Sequence, residues 1–125
     1  MEKKESFSLK KRISSFRFAI NGLVNCIKYE HNARVHTLAV VIVTVLGFVF
    51  QITIPEWIAI AIVIGLVLMA ELFNTAIERL VDFVEPEWNS KVGLIKDYCA
   101  AAVLIASVIA MVVGGLVFIP KILDV

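Results

Sequence analysis

The sequence predicts an all-α integral membrane protein, with one amphipathic helix on the membrane surface followed by three transmembrane helices. Three observations carry this prediction. The 125-residue chain is 60% hydrophobic, whereas a soluble domain averages about 45–50% apolar residues. Its mean hydropathy is +0.91. Its apolar residues also gather into three runs, each able to reach the roughly 17–25 residues that a span needs.

Residues 1–5 (MEKKE) read as disordered. Between about 8 and 29, Leu9, Ile13, Phe16, Ile20, Leu23, Val24 and Ile27 recur three or four residues apart, with Lys and Arg over much of the other side. A helix with an apolar stripe and a basic polar face suits an anionic leaflet better than a soluble partner. The first span covers about 36–54, holds no Asp, Glu, Lys or Arg, and ends at Gln51 and the turn Ile54-Pro55-Glu56. The second covers about 57–80 and is apolar from Trp57 to Ala70, where Glu71 and then Glu78 interrupt it. The third covers about 98–119. The whole chain, 1–125, reads as a single membrane-embedded domain.

Orientation follows from the cations, because positive residues mark the cytoplasmic side. Eight of the twelve (Lys3, Lys4, Lys10, Lys11, Arg12, Arg17, Lys28, Arg34) precede the first span. The turn between spans one and two has none, and Arg79, Lys91 and Lys96 lie between spans two and three. The N-terminus and the 82–97 loop are therefore expected in the cytoplasm and the C-terminus outside, with Trp57 and Trp88 as interfacial anchors. No secretory signal peptide is expected, since about 35 residues pass before a strong apolar run. Translocation then rests on the spans themselves, in the cytoplasmic membrane.

Composition and motifs narrow the chemistry. Twelve cations against eleven acids suggest no nucleic-acid partner. Cys26 and Cys99 form neither a disulfide framework nor a zinc spacing, and His31 and His36, five apart, do not share a helical face as metal ligands. There is no P-loop, no GxGxxG and no HExxH in the sequence.

The informative stretch is Ala70-Glu71-Leu72-Phe73-Asn74-Thr75-Ala76-Ile77-Glu78-Arg79-Leu80-Val81-Asp82. At about 100° per residue, Glu71, Asn74, Glu78 and Asp82 fall on one stripe, with Thr75 beside it. An ionisable residue at the centre of a span costs about 2.5–3.5 kcal/mol on insertion scales, so three acids on one face point to function. Glu71 is the deepest, and Glu78 lies about 10 Å nearer the cytoplasm at 1.5 Å per residue. A deep carboxylate can meet a hydroxyl carried by a membrane-soluble substrate, and a shallower one can hold Mg²⁺ on a nucleotide. Mg²⁺ typically takes one or two carboxylates plus phosphate oxygens. Two further polar clusters, residues 30–36 and Lys96-Asp97, lie at the same level, and each can contribute to one polar site beneath the bilayer surface. Taken singly, Arg34, His36 and Lys96 read as interfacial anchors.

The segment Glu71-Leu72-Phe73-Asn74-Thr75-Ala76-Ile77-Glu78, followed by Asp82, resembles the signature E-x-x-N-(S/T)-A-x-E of prokaryotic diacylglycerol kinases. The resemblance covers nearly the whole chain, including Gly22 in a basic amphipathic helix, Glu30 before span one, and Lys96-Asp97 before an alanine-rich span three. It implies an ATP- and Mg²⁺-dependent lipid kinase that converts diacylglycerol to phosphatidic acid. By position it implies Glu71 as the base that takes the lipid's proton and Asn74 beside the reacting phosphate. Glu30 and Glu78 resemble the metal-holding carboxylates, and Lys96 and Asp97 the nucleotide contacts. Lys11 or Arg12 resembles the family's N-terminal basic contact. The resemblance further implies a homotrimer with sites shared between subunits; Ala102, Ala106 and Ala110 supply a small-residue stripe for close helix contact. Tyr98 and Cys99 depart from the small residues usual there. The segment Glu30-x-Asn32-x-Arg34-Val35-His36 resembles the branch of the family that phosphorylates undecaprenol, which is the alternative substrate. A small proton- or ion-coupled transporter would also place Glu residues in a span, but it has no need of Asn74 or a basic rim. A non-catalytic scaffold would tolerate Glu71→Gln.

Overall fold

The computed structural model describes residues 6–124; the expected disordered 1–5 lie outside the described residues. Four helices follow in order: α1 (Leu9–Tyr29), α2 (His31–Val49), α3 (Ile54–Val84) and α4 (Ser90–Ile122). Three of them, α2, α3 and α4, are long and apolar enough to cross a membrane. The all-helical architecture and the helix count agree with the sequence, and the helices that carry the spans have ends that differ from the span limits read from hydropathy.

Ser8 caps α1, its side chain accepting from the Lys11 N–H. The apolar stripe of α1 is left uncovered by its own chain, with Leu9, Ile13, Phe16 and Ile20 all exposed, while Cys26 is buried. That is the arrangement a surface helix needs if lipid is to receive its apolar side. One extended residue, Glu30 (φ −106°, ψ 120°), separates α1 from α2.

The first span starts five residues before the expected 36 and stops five short of the expected 54. Its end is a Schellman motif: Gln51 turns left-handed at φ 50°, its N–H reaches Phe48 O at 3.3 Å, and the Ile52 N–H reaches Gly47 O at 3.1 Å. Ile52 then enters the core. A non-glycine residue in that conformation costs about 1–2 kcal/mol. Gln51→Gly is therefore expected to raise the midpoint of thermal unfolding, less whatever glycine adds to unfolded-chain entropy.

The second span begins earlier than the expected 57, because Thr53 and Glu56 form a capping box. Glu56 Oε2 accepts from the Thr53 N–H at 2.7 Å, and Pro55 suits the first turn. It runs on past the expected 80 to Val84. The third span begins eight residues before the expected 98, where the Asn89 side chain accepts from the N–H groups of Lys91 and Val92, each at 3.0 Å. The loop expected over 82–97 is thereby reduced to Glu85–Asn89. At 1.5 Å per residue, the 31 and 33 residues of α3 and α4 are about 46 and 50 Å long, well beyond a hydrocarbon core of about 30 Å. Hydropathy marks only the lipid-buried part, so it could not show these polar extensions.

Successive spans are antiparallel, as contacts at both ends show. At one end Trp57 of α3 lies against Gly47 of α2, and Lys121 of α4 pairs with Glu56 of α3 at 3.2 Å. The apolar core sits near this end: Ile52, Ile60, Val117 and Phe118, with Val43, Leu46, Phe50, Trp57, Ile64 and Val113 packed against it. Helices α3 and α4 share the most extensive contact. Ala106 of the small-residue stripe is buried by this same chain, whereas Ala102 remains exposed.

Gly47 is required by Trp57. A Cβ built on it would stand 2.5 Å from Trp57 Cη2 and 2.7 Å from Cζ2. Overpacking of this kind costs about 1–3 kcal/mol, so Gly47→Ala is expected to lower the thermal midpoint. Adding Trp57→Leu to that variant should recover part of the loss, which calorimetry of the two variants checks.

Candidate active site at the polar end of the bundle

The opposite end of the bundle gathers the polar residues. Glu71 faces inward from α3 and is 2% exposed, the one buried Asp, Glu, Lys, Arg or His among the described residues. Its partner comes from α2, where His36 Nε2 stands 3.0 Å from Glu71 Oε1. This contact lies at ion-pair distance but is not aligned as a hydrogen bond, so Oε1 is left without a hydrogen-bond partner. One turn further along α3, Asn74 Oδ1 is likewise buried and unpartnered. Buried polar atoms are nearly always satisfied, and two orphaned acceptors three residues apart mark a place built for a donor from outside the chain. Thr75 beside them contacts Cys26 Sγ of α1 at 3.6 Å.

Nearer the end of the bundle the charges pair across helices. Glu30, fixed at the junction of α1 and α2, accepts from the Arg79 guanidinium at 2.8 Å. Lys96 of α4 donates to Asp82 Oδ1 of α3 at 2.7 Å. Both pairs are partly exposed, and exposed pairs contribute about 0–1 kcal/mol. They tie α3 to the α1–α2 junction and to α4, but only weakly. Glu78 is half-buried between Glu71 and this rim, and Asp97 is exposed next to Lys96. Among the described residues no group of three or more His, Cys, Asp or Glu could by itself hold a metal.

The structure thus assembles Glu30, Glu71, Asn74, Glu78 and Lys96 at one end, with Asp97 at its edge. It does not bring Lys11 to them: Lys11 lies in the first turn of α1, 19 residues before Glu30, which is about 28 Å along the helix. Two residues of the candidate site were only partly legible in the sequence. His36 belonged to a polar cluster at the right level but, taken singly, read as an interfacial anchor, because nothing in the sequence shows that its side chain reaches Glu71. Arg79 passed for a topological cation.

Leading away from His36 toward the Trp57 end is an apolar cavity of about 410 Å³ between α2, α3 and α4, lined among others by Val40, Val63, Ser107, Met111 and Phe118. Small-molecule sites are typically concave and mostly apolar, with a few convergent polar groups. Here His36 stands at one end, next to Glu71, and Ser107 lies along the wall.

The model of the prokaryotic diacylglycerol kinase family matches residues 17–118 of the chain. The chain belongs to that family. It is similar to the undecaprenol kinase of Bacillus subtilis, with 34% identity over 113 residues covering 90% of this chain and 92% of that protein. It is similar also to the diacylglycerol kinase of Haemophilus influenzae, 32% identical over 107 residues, covering 85% of this chain and 91% of the other. The diacylglycerol kinase of Synechocystis is 32% identical over 111 residues, 88% of this chain and 63% of that longer protein. As a prokaryotic diacylglycerol kinase family member the chain is a multi-pass membrane protein and a lipid kinase. The family match spans the second half of α1, all of α2 and α3, and α4 as far as Phe118, so the residues gathered at the polar end, 30 to 97, lie within it.

Proposed function

We propose that the protein transfers the γ-phosphate of ATP to the terminal hydroxyl of a membrane lipid, with Glu71 taking the hydroxyl proton. The observation that carries this reading is the buried, unsatisfied Glu71 carboxylate beside His36, which lines one end of an apolar cavity. A lipid tail in the cavity places its hydroxyl at the polar end, where Glu71 Oε1 lacks a donor. A general base within hydrogen-bond reach of the proton it takes contributes about 10²–10⁴-fold. Asn74 stands between this base and the phosphate side.

The donor set fits Mg²⁺ delivered on a nucleotide rather than a metal held by protein alone, since one or two carboxylates suffice when phosphate oxygens complete the shell. Glu30 and Glu78 would hold it, and its chemistry there is to neutralise phosphate charge. Arg79, Lys96 and Asp97 then face the nucleotide, with Arg79 and Lys96 released from their weak carboxylate partners. ATP is cytoplasmic, which agrees with a cytoplasmic N-terminus. Lys11 would have to serve a neighbouring subunit's site, as the homotrimer expected from the sequence allows.

For the acceptor lipid, the observations favour undecaprenol over the diacylglycerol expected at first. The Bacillus subtilis relative named undecaprenol kinase matches both chains over about nine-tenths of their length. The segment from Glu30 to His36 that resembles this branch also supplies the residue touching Glu71. The test is transfer of labelled γ-phosphate from MgATP by purified protein offered both lipids in parallel. Faster labelling of undecaprenol supports this reading, faster labelling of diacylglycerol reverses the choice, and labelling of neither by a folded protein rejects the kinase.

A further inference from the structure

We infer that His36 is a positioning residue for phosphoryl transfer, holding the Glu71 carboxylate at the point where the apolar cavity delivers the lipid hydroxyl. The inference rests on the reading of Glu71 as the base, and it deepens that reading.

Three features of the structure converge on His36. It is the residue at ion-pair distance from Glu71, Nε2 to Oε1 at 3.0 Å, with the Glu71 side chain 3% exposed and the imidazole 23% exposed. It is also the one ionisable residue in the lining of the apolar cavity, so it touches both the base and the route of the lipid. The remaining charges that act on Glu71, those of Glu78 on α3 and Glu30 at the α1–α2 junction, are acidic and repel it. His36 is the residue of α2 that reaches the Glu71 carboxylate, and it does so from the wall of the cavity. His36 can set the carboxylate's place because it is itself fixed, six residues into α2 beyond the Glu30 cap.

A purely structural contact would stabilise the fold without selecting a step of the reaction. The two roles separate in kinetics. Full-length protein in lipid nanodiscs would be assayed for initial rates against lipid and against MgATP, comparing His36→Leu, His36→Gln, Glu71→Gln and the double variant His36→Leu/Glu71→Gln. Thermal unfolding of each variant is measured alongside. His36→Leu is expected to lower kcat by about tenfold to a hundredfold, the scale on which misplacing a reacting group by 1 Å acts, with KM for MgATP little changed. His36→Gln, whose side-chain amide puts an N–H about where Nε2 stands, should recover most of kcat. In the Glu71→Gln background His36→Leu should cost nothing further, because residues acting as one unit are non-additive.

The inference is overturned if His36→Leu keeps the parental kcat. It is overturned equally if His36→Gln is folded yet as slow as His36→Leu, or if the two losses multiply in the double variant. Failure of the underlying base reading looks different: there Glu71→Gln itself remains active. An inactive Glu71→Gln beside a fully active His36→Leu removes the inference and leaves the base in place.

Discussion

Glu71→Gln is expected to lower lipid phosphorylation by about 10²–10⁴-fold, the contribution of a well-placed general base, while the protein stays folded. The amide is nearly the same shape as the carboxylate and avoids the cost of burying a charge. Its thermal midpoint should therefore equal or exceed the parent's. This combination separates the three functional classes. A scaffold would tolerate the change with no activity to lose, and a transporter would lose ion flux with no labelled lipid in either protein. Labelling assays run beside thermal unfolding on the same preparations make the comparison. A Glu71→Gln variant that still phosphorylates lipid would remove the residue from the chemistry.

Glu78→Gln is expected to act through the nucleotide side. Glu78 stands seven residues beyond Glu71, two helical turns nearer the end of α3, and half-buried. If it shares Mg²⁺ with Glu30, its loss leaves one carboxylate, and Glu30 is already engaged by Arg79 at 2.8 Å. The Mg²⁺ concentration for half-maximal activity should rise by at least the tenfold to hundredfold, approximately, that losing even an outer-shell partner costs. Raising Mg²⁺ should restore part of the rate, and KM for the lipid should hold. A Glu78→Gln variant whose Mg²⁺ dependence matches the parent's would show that the metal sits elsewhere.

Much of this architecture was legible in the sequence, for identifiable physical reasons. Three uncharged or nearly uncharged runs can only be spans, and the stripe of Glu71, Asn74, Glu78 and Asp82 follows from helical geometry alone. What stayed hidden depended on contacts between helices or on local capping. The pairing of His36 with Glu71 needs the level at which α2 meets α3, which Gly47 against Trp57 helps set from the far end of the bundle. The early start of α4 depends on the Asn89 cap, a polar signal that hydropathy passes over. The stop at Val49 depends on Gln51 taking a conformation more usual for glycine. Lys11 was placed in the site by resemblance, and within this one chain 19 residues, most of α1, separate it from Glu30.

The placement of the apolar core near the Trp57 end separates two kinds of substitution along the same helices. Ile52, Ile60, Val117 and Phe118 pack together at that end, while Glu71, Asn74 and the charge pairs of Arg79 and Lys96 lie toward the other. Substitutions that far apart combine nearly additively, so a destabilising change in the core and a change at the polar end should each keep its own effect when the two are combined.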